Sequence, residues 1–500
     1  MAIGMTNAQA PTIRTLLTVT VTDATSLGYQ SGRTVVVSNG DVTLTGVTDS
    51  SGTIIFKLSR IGDYTVQCDY PSGYVSLPVT VKNVQIGGLY SAALTVVPPV
   101  RFKMTFNATA FKTDDAGCLT YGGDCAGFTP VSGPGSSLAK CSSIGSWVMN
   151  ADGTSSNKIL AKCFYATFTN DGVLHQKLNP QDLSKYIATW DDTNKEWVAG
   201  SGNSAITTEN TMFCIPTLYF NASGSEITLS DYAADGEARG HTIDGHEYQY
   251  LAIGVYEGYN NNGRLMSLSG KVSSASITRP TFRTYAQANP VQNGKAMLWN
   301  YYQHHVWWVL NLFATKRFNG QLAVGKGGLS YNGSTGQGMC NAMGPFAGCT
   351  GTSSAVKSFI ENPWGYKYEF IDDFVVNNTS GSNHVVWAGQ NSEPDDTYSA
   401  QNKKNIITCT LAGGSSQWAT AISTDPETWG FITAAGGSST VGLCDSYYFS
   451  NSTGQYLGVV GGYSSYVSDG YAGPSCLYAG NSLPYSYSAY GARLAFVFDL

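Results

Sequence analysis

Pro363–Phe374 reads PWGYKYEFIDDF and combines large aromatic side chains with three acidic residues, Glu369, Asp372 and Asp373. Acidic residues this close together can serve as paired carboxylates in general acid–base catalysis. No candidate base or nucleophile accompanies them in the neighbouring sequence. We therefore interpret the three acids as strand-end residues or residues of a calcium-type loop, not as catalytic groups.

The surrounding chain of 500 residues is poor in charge, with 12% charged residues against an average of about 25%. Its length allows two to four domains. The net charge of −6 gives no electrostatic footprint for nucleic acid, and the 42% hydrophobic content excludes a disordered chain. Gly (57) and Tyr (31) are abundant, as they are in binding surfaces that use few charges.

Neither catalysis nor export through a membrane has a sequence signature. The chain lacks GxSxG, a P-loop, and GxGxxG before a helix, so we expect no enzyme activity and no cofactor. Met1–Pro11 has no basic or apolar segment of the kind found in signal peptides. The most apolar run, Val306–Ala314, is shorter than the roughly 18 to 20 residues that span a bilayer, so no membrane insertion is expected.

The first 98 residues alternate apolar and polar side chains, which predicts an all-β module of six or seven strands. The predicted strands are Thr15–Thr22, Arg33–Ser38, Asp41–Thr48, Thr53–Leu58, Tyr64–Asp69 and Ser76–Lys82. Thr48–Tyr74 resembles the transthyretin-like and pilin-type immunoglobulin-like modules, which implies a spacer or attachment role. Pro98-Pro99 ends the alternation, so we predict domains of 1–98 and 99–500.

Two segments of the second domain predict helices. Pro180–Trp190 has Asn179 as a candidate N-cap and proline at the first helical position. Lys295–Phe318 is the longest helical pattern and is apolar nearly all round, which favours burial against a sheet and a subunit partner. The adjacent His304 and His305 face different directions on such a helix, which favours packing over metal binding.

The eleven cysteines and six histidines do not form a recognisable metal motif. The best candidate is RGHTIDGHEY with His241 and His246, where hydrogen-bonded loop histidines are the favoured interpretation. Cys118 with Cys125, or Cys340 with Cys349, could pair, but a chain made in a reducing cytoplasm favours free thiols. We predict no metal.

Tyrosine is concentrated at the C-terminal end, with ten among residues 441–500 against about four expected from the chain average. Packed Tyr-rich strands are one explanation. A recognition surface is the other, because tyrosine offers a large amphipathic contact area at low entropic cost.

The motifs of residues 99–500 resemble the C-type-lectin fold shared by formylglycine-generating enzymes and the variable proteins of diversity-generating retroelements. Pro363–Phe374 is similar to the PWGNVWEWV-type strand of that fold. The further motifs that match the variant found in gut phage tail proteins are DCAGFTP (124–130), LNPQDLSK (178–185), HTIDGHEYQY (241–250), GKAMLWNY (294–301), GGSSTVGLCDSYY (436–448), VVGG (459–462) and GARLA (491–495). The predicted fold class is therefore α+β, a C-type-lectin fold preceded by an immunoglobulin-like or transthyretin-like module.

The resemblance implies a variable ligand-binding region at about 460–491. In such proteins, adenine-directed mutagenesis cannot produce Lys, Glu, Gln, Met or Trp from AAY codons, and residues 463–490 contain none of the five. The implied scaffold positions are Gly461, Gly462, Leu477, Gly491, Arg493, Leu494 and Phe496, with Arg493 as an ion-pair or hydrogen-bond anchor. The predicted ligand contacts are Tyr463, Ser465, Tyr466, Ser468, Asp469, Tyr471, Tyr478, Asn481, Tyr485, Tyr487 and Tyr490.

The resemblance implies a phage tail-fibre or tail-tip receptor-binding protein, made in the host cytoplasm and located in the virion. Its implied partners are a host-surface protein or glycan, other tail proteins through the first module, and two further copies in a homotrimer. A structural tail protein or bacterial adhesin is the alternative. A second alternative is an enzyme of the formylglycine-generating type, but the chain lacks the C-terminal cysteine pair of those enzymes.

Overall fold

The structure is a computed structural model that describes residues 14–23, 30–69, 75–76, 78–113, 115, 117–133, 137–142, 145–202, 204–351, 353–397, 403–439, 441–467 and 470–500. The chain divides into two compact units, Met1–Val100 and Arg101–Leu500. The division lies beside the Pro98-Pro99 pair. In the described ranges, no helix combines the length and hydropathy needed to cross a bilayer.

The first unit consists of two four-stranded sheets with a common core. Its strands are β1 (Thr15–Asp23), β2 (Thr34–Ser38), β3 (Thr43–Val47), β4 (Thr53–Leu58), β5 (Gly62–Cys68), β6 (Val75–Ser76), β7 (Val79–Val84) and β8 (Leu89–Val97). The sheet orders are β4-β1-β8-β6 and β3-β2-β5-β7. Alternation in β1 buries Leu17, Val19 and Val21 in the shared core, which confirms the all-β prediction. Asp49 Oδ1 accepts hydrogen bonds from the backbone N–H groups of Ser51 and Thr53 and so fixes the turn before β4.

The second unit contains many short strands and, among its described residues, three α-helices. In chain order the elements up to the third helix are β9 (Arg101–Phe106), β10 (Leu119–Gly123), β11 (Ala139–Lys140), β12 (Phe164–Phe168), β13 (Leu174–Asn179), β14 (Asp182–Asp191), β15 (Glu196–Gly202), β16 (Asn210–Pro216), β17 (Tyr219–Ser223), β18 (Glu226–Ser230), β19 (Thr242–Ile243), β20 (His246–Glu247), β21 (Tyr250–Gly254), β22 (Tyr259–Asn261), β23 (Arg264–Met266), α1 (Arg279–Gln287), β24 (Gly294–Leu298), α2 (Tyr301–Thr315) and α3 (Gly320–Ala323). The elements that follow are β25 (Phe346–Gly348), β26 (Lys357–Ser358), β27 (Ile360–Glu361), β28 (Tyr368–Ser380), β29 (Asn383–Ala388), β30 (Lys404–Thr410), β31 (Ser416–Ile422), β32 (Ile432–Ala435), β33 (Ser446–Phe449), β34 (Gly454–Gly461), β35 (Gly473–Ala479), β36 (Tyr490–Gly491) and β37 (Leu494–Phe498).

Two large sheets organise this unit. One has the order β15-β14-β13-β12-β16-β21-β37-β24, and the other has the order β30-β29-β28-β34-β35-β33-β31-β32, with β36 paired to β28. Phe370 of β28 and Phe496 of β37 lie in the same buried cluster, so the two sheets share a core. With 45% strand and 11% helix the fold is mostly β, and the α+β expectation overstated its helical content.

The predicted helix at Pro180–Trp190 is wrong, because this segment forms strand β14. Asn179 does not cap a helix. Its side-chain Oδ1 accepts a hydrogen bond from the Gln181 backbone N–H, which tightens the turn between β13 and β14. An Asn-Pro pair suits a helix start and such a turn equally well, and pairing with β13 and β15 selects the strand.

The long helical prediction at Lys295–Phe318 is correct only in its second part. Residues up to Leu298 form β24, which pairs with β37. The helix starts after Asn300, whose side chain accepts from the Gln303 N–H while the Gln303 side chain accepts from the Asn300 N–H. Every residue of α2 except His305 is buried within this one chain. The apolar side chains on all sides of α2 therefore pack inside this chain, and α2 is not available as the predicted subunit contact.

All eleven cysteines are buried thiols, and neither of the two possible disulfides, Cys118–Cys125 or Cys340–Cys349, is formed. Burial raises the pKa of Cys141 and Cys409 to about 12. Such thiols are protonated at neutral pH and are poor nucleophiles. The cysteines therefore act as small apolar side chains of the core.

Candidate binding surface

The predicted variable region starts at a backbone turn that only glycine accommodates easily. Gly461, at the end of β34, has φ = 86°, and Gly462 has φ = 72°. A Cβ atom on Gly461 would lie 2.6 Å from the carbonyl oxygen of Pro363. The PWG segment at 363–365 therefore fixes the point at which the chain leaves the sheet.

Replacing Gly461 by alanine should lower the free energy of unfolding by about 3 kcal/mol, because the strain of the left-handed backbone conformation and the clash with Pro363 both destabilise the variant. Urea unfolding measures this change. Gly224→Ala is the control, because Gly224 has φ = 61° but no atom within 4 Å of its missing Cβ. That variant should lose only about 1 kcal/mol. Equal losses in the two variants would contradict a role for the contact with Pro363.

The region ends at Arg493, whose guanidinium is completely buried against Glu369. Arg493 Nη2 lies 2.5 Å from Glu369 Oε1, and Nε donates to Oε2 at 2.8 Å. The same guanidinium donates to the carbonyl oxygens of Gly254 and Glu361. The prediction of Arg493 as an ion-pair anchor is confirmed, and its side chain joins the two large sheets through Glu369 of β28 and Gly254 of β21.

The other two acids of the opening motif also lie inside β28, not at a strand end or in a loop as predicted. Asp372 accepts from Arg283 at 2.5 Å, and Asp373 lies 3.1 Å from Lys403 Nζ. All three acids are buried in ion pairs with basic groups on other segments. Their role is to connect β28 to its surroundings.

Beneath the end of the variable region lies a buried carboxyl group, that of Glu257. A Cβ atom on Gly491 would be 1.7 Å from Glu257 Oε1, so any larger residue there would force the Glu257 side chain to move. Burial raises the pKa of Glu257 to about 8, although the nearby Lys367 and Arg493 oppose the rise. The carboxyl is therefore mostly protonated at neutral pH.

Glu257→Gln should raise stability relative to the parent protein by an amount that grows with pH. The pKa of Glu257 is higher in the folded state, about 8, than its ordinary value of 4.5. The parent therefore loses stability as pH rises through this window, whereas glutamine does not titrate. Melting temperatures between pH 5 and 9 measure the difference. The exposed Glu196→Gln is the control, and parallel curves for Glu257→Gln and the parent would contradict the prediction.

Tyrosine rings from the variable region form one continuous series of contacts, which we call the tyrosine surface. Tyr463 and Tyr466 have ring centroids 4.7 Å apart, and Tyr466 and Tyr471 follow at 5.3 Å. Tyr485 and Tyr487 each lie 5.7 Å from the Tyr490 ring. Buried Tyr368 of β28 contacts Tyr463, Tyr478 and Tyr490 and so links the two parts.

The structure places three of the predicted contact residues at exposed positions and five at half-buried ones, and Tyr478 lies in strand β35 instead of a loop. Tyr466 and Tyr487 are exposed by 38% and 41%. Ser465 is also exposed, and the half-buried members are Tyr463, Tyr471, Tyr478, Asn481 and Tyr485. Ser468 and Asp469 lie outside the described residues. Their assignment as contacts stays a prediction.

Tyr490 is a correction to the predicted set, since it is only 4% exposed. Its ring packs against Tyr368 and Phe370, and its hydroxyl accepts a hydrogen bond from Asn481 Nδ2 at 2.6 Å. Tyr490 therefore supports the loop from below. The Asn481 amide is partly occupied in holding it.

Three aromatic residues outside the predicted region also belong to the tyrosine surface. Tyr331 lies 5.1 Å from Tyr463, Trp418 lies 5.2 Å from Tyr471, and Tyr448 stacks on Tyr478 at 4.7 Å. Tyr331 and Trp418 come from distant parts of the chain, and no local motif marks them. Only the tyrosine excess after residue 440 gave a signal for Tyr448.

Charge is nearly absent from this surface. In the described part of 441–500, Asp445 and Arg493 are buried, and Asp499 lies next to His246, 3.0 Å from its Nε2. Burial raises the pKa of Asp445 to about 7, and Ser475 hydrogen bonds to its carboxylate. Apart from Asp469, which lies outside the described residues, the tyrosine surface thus offers aromatic rings and hydroxyl groups.

The histidines take the roles predicted for them as hydrogen-bonding and packing residues. His241 is buried with its Nε2 3.3 Å from the Ile215 carbonyl oxygen, and burial lowers its pKa to about 4. His304 packs on Trp299 at 5.0 Å. Within the described ranges, no group of three or more His, Cys, Asp or Glu side chains is placed to hold a metal ion.

Comparison with known proteins gives no family assignment, since no family model and no curated protein match the chain. Among solved structures, the 5-hydroxyisourate hydrolase of Klebsiella pneumoniae is 20% identical over 17% of this chain and 90% of its own, with a TM-score of 0.14. A streptococcal ancillary pilin is 13% identical over 45% of this chain and 60% of its own, with a TM-score of 0.17. The shaft pilin of Lactobacillus rhamnosus GG is 13% identical over 43% of this chain and 93% of its own, with a TM-score of 0.15. Similarities at these scores carry no argument about fold or function.

Proposed function

We propose that the protein is a receptor-binding protein of a phage tail fibre or tail tip, and that residues 99–500 adopt a C-type-lectin fold. The observation that carries this proposal is the tyrosine surface. Aromatic side chains that are costly to expose lie together at the surface of a chain whose other large apolar residues are mostly buried. Tyr-rich, charge-poor surfaces of this kind are typical of recognition sites.

The arrangement beneath the surface supports a diversified site. Gly461 and Gly462 at one end, and Gly491 and Arg493 at the other, hold the region between two rigid sheets. Exposed positions between these anchors can change at a cost of about 0.5 kcal/mol or less. The partner is a bacterial surface receptor, and the first unit joins the protein to the rest of the tail. A homotrimer would add avidity by multivalent binding.

The test of diversification is genomic. The DNA encoding 460–491 should have a near-copy that differs only at adenines, beside a reverse-transcriptase gene. Sequencing of related isolates should then find substitutions concentrated at the exposed tyrosine and serine positions, with the glycines and Arg493 constant. Substitutions spread evenly over residues 99–500, with no template copy, would contradict diversification.

A further inference from the structure

An open groove with both apolar and polar lining, which we call the side groove, lies beside the tyrosine surface, on the side formed by the loop before Tyr485. Its volume of about 680 Å³ is within the range of about 300 to 1,000 Å³ common for small-molecule sites. The residues that line it include Asn377, Asp396, Thr397, Gln455, Ser482 and Pro484. We propose that this side groove binds a neutral saccharide of the bacterial surface, an inference that rests on the proposed receptor-binding function.

The floor of the groove presents two amide side chains on strands whose backbone register is fixed. Asn377 of β28 and Gln455 of β34 face each other in antiparallel register, which places their side chains about 5 Å apart on one face of the sheet. Neither amide, nor the Ser482 hydroxyl, makes a side-chain hydrogen bond to any described residue, and none of these residues is fully buried. Each amide can both donate and accept, as the hydroxyl groups of a sugar require.

A third group, the Asp396 carboxylate, is held in place by two buried arginines. Arg279 and Arg283 both contact Oδ1, each with Nη2 at 2.7 Å. Burial opposes ionisation of Asp396, but the two guanidinium groups outweigh it and lower the pKa of the carboxyl. Oδ2 makes no hydrogen bond to the described residues, so among them it is an unshared acceptor on the wall of the groove.

Charge determines which saccharides fit. Arg279 and Arg283 are balanced by Asp372 and Asp396, and among described residues no basic side chain lines the groove itself. An acidic sugar would therefore meet a carboxylate without a compensating cation. Pro280, Leu483 and Pro484 add apolar edges against which the C–H faces of a sugar ring can pack. The groove thus favours an uncharged, hydroxyl-rich ligand.

An extended peptide is a weaker candidate, because the backbone at the floor is already paired. Asn377 pairs with Val385 of β29 on one side and with Gln455 on the other. Next to Gln455, Tyr456 pairs with Ser482 of the variable region. A peptide cannot add as a further strand here, so side-chain hydrogen bonding has to supply the affinity. One wall belongs to the variable region and the floor does not, so mutation of the loop can tune a constant saccharide site.

The test uses the full chain on an array of neutral oligosaccharides of two to six hexose or N-acetylhexosamine units, with sialylated and sulfated counterparts. The parent should bind neutral members only. Asn377→Ala combined with Gln455→Ala should weaken that binding about tenfold or more, since two hydrogen bonds are lost. The matched control is Asn221→Ala with Gln67→Ala, two exposed strand positions elsewhere in the chain, and it should bind like the parent.

A second variant keeps the test decisive if the double variant is unstable. Ser482→Trp fills the groove from an exposed loop position and should also abolish saccharide binding. Absence of neutral-saccharide binding by the parent, a preference for acidic members, or full binding by both variants would overturn the inference. If labelled protein still attached to bacterial cells in that case, a protein receptor would remain and only the saccharide inference would fail. If cell attachment also failed, the proposed function would fail with it.

Discussion

Replacing Tyr463, Tyr485 and Tyr487 together by serine should abolish attachment of the protein to its bacterial target without changing its melting temperature. The three side chains lie on the tyrosine surface and are exposed or half-buried. Contact residues of this type commonly contribute about 2 kcal/mol or more each when truncated. Even with incomplete additivity, the loss should exceed about a hundredfold in affinity.

The measurement is flow cytometry of labelled full-length protein on a panel of gut bacterial isolates, with the isolate that binds the parent used for the variants. Melting should stay within about 2 °C of the parent, because Tyr487 is exposed and Tyr463 and Tyr485 only cover the edge of the core as half-buried rings. Tyr186→Ser with Tyr259→Ser is the matched control, since both residues are half-buried tyrosines outside the tyrosine surface. Loss of folding together with attachment would instead assign the tyrosines to packing.

Arg493→Met should lower the free energy of unfolding of the second unit by about 3 to 5 kcal/mol, the largest stability effect that we expect from a single side chain. The guanidinium and the Glu369 carboxylate are both 0% exposed. Removal of the arginine leaves that carboxylate and the carbonyl oxygens of Gly254 and Glu361 without their donor. A buried charge without a partner is much more costly than the ion pair is favourable.

Chemical denaturation of the full chain measures this change, and the double variant Arg493→Met with Glu369→Leu should recover a large part of the loss. Lys103→Met is the control in the same unit. Lys103 Nζ lies 2.7 Å from Glu226 Oε1, but the two side chains are 37% and 46% exposed. The free energy of unfolding should therefore fall by about 1 kcal/mol or less. Similar losses for Arg493→Met and Lys103→Met would show that the buried pair does not anchor the sheets.

The resemblance to the phage tail variant gave Gly461, Gly462 and Arg493 as scaffold positions of the candidate site. In the structure the two glycines form a turn with positive φ, and Arg493, between β36 and β37, makes a buried ion pair. A positive φ suits glycine, and a buried arginine needs a partner, so both residue types fit their positions. Local reasoning failed at Asn179-Pro180, where one dipeptide suits a helix start and a turn between strands.

The amino-acid sequence by itself determined the all-β first module and the excess of tyrosine after residue 440, because alternation and composition are local properties. Only the tertiary structure decided which tyrosines face outward, for the depth of Tyr490 depends on contacts with Tyr368 and Phe370, more than a hundred residues away. It also added Tyr331 and Trp418 to the tyrosine surface and brought Asn377 and Asp396 beside Ser482. Such placements follow from how the sheets pack, and packing joins residues whose separation in the sequence carries no signal.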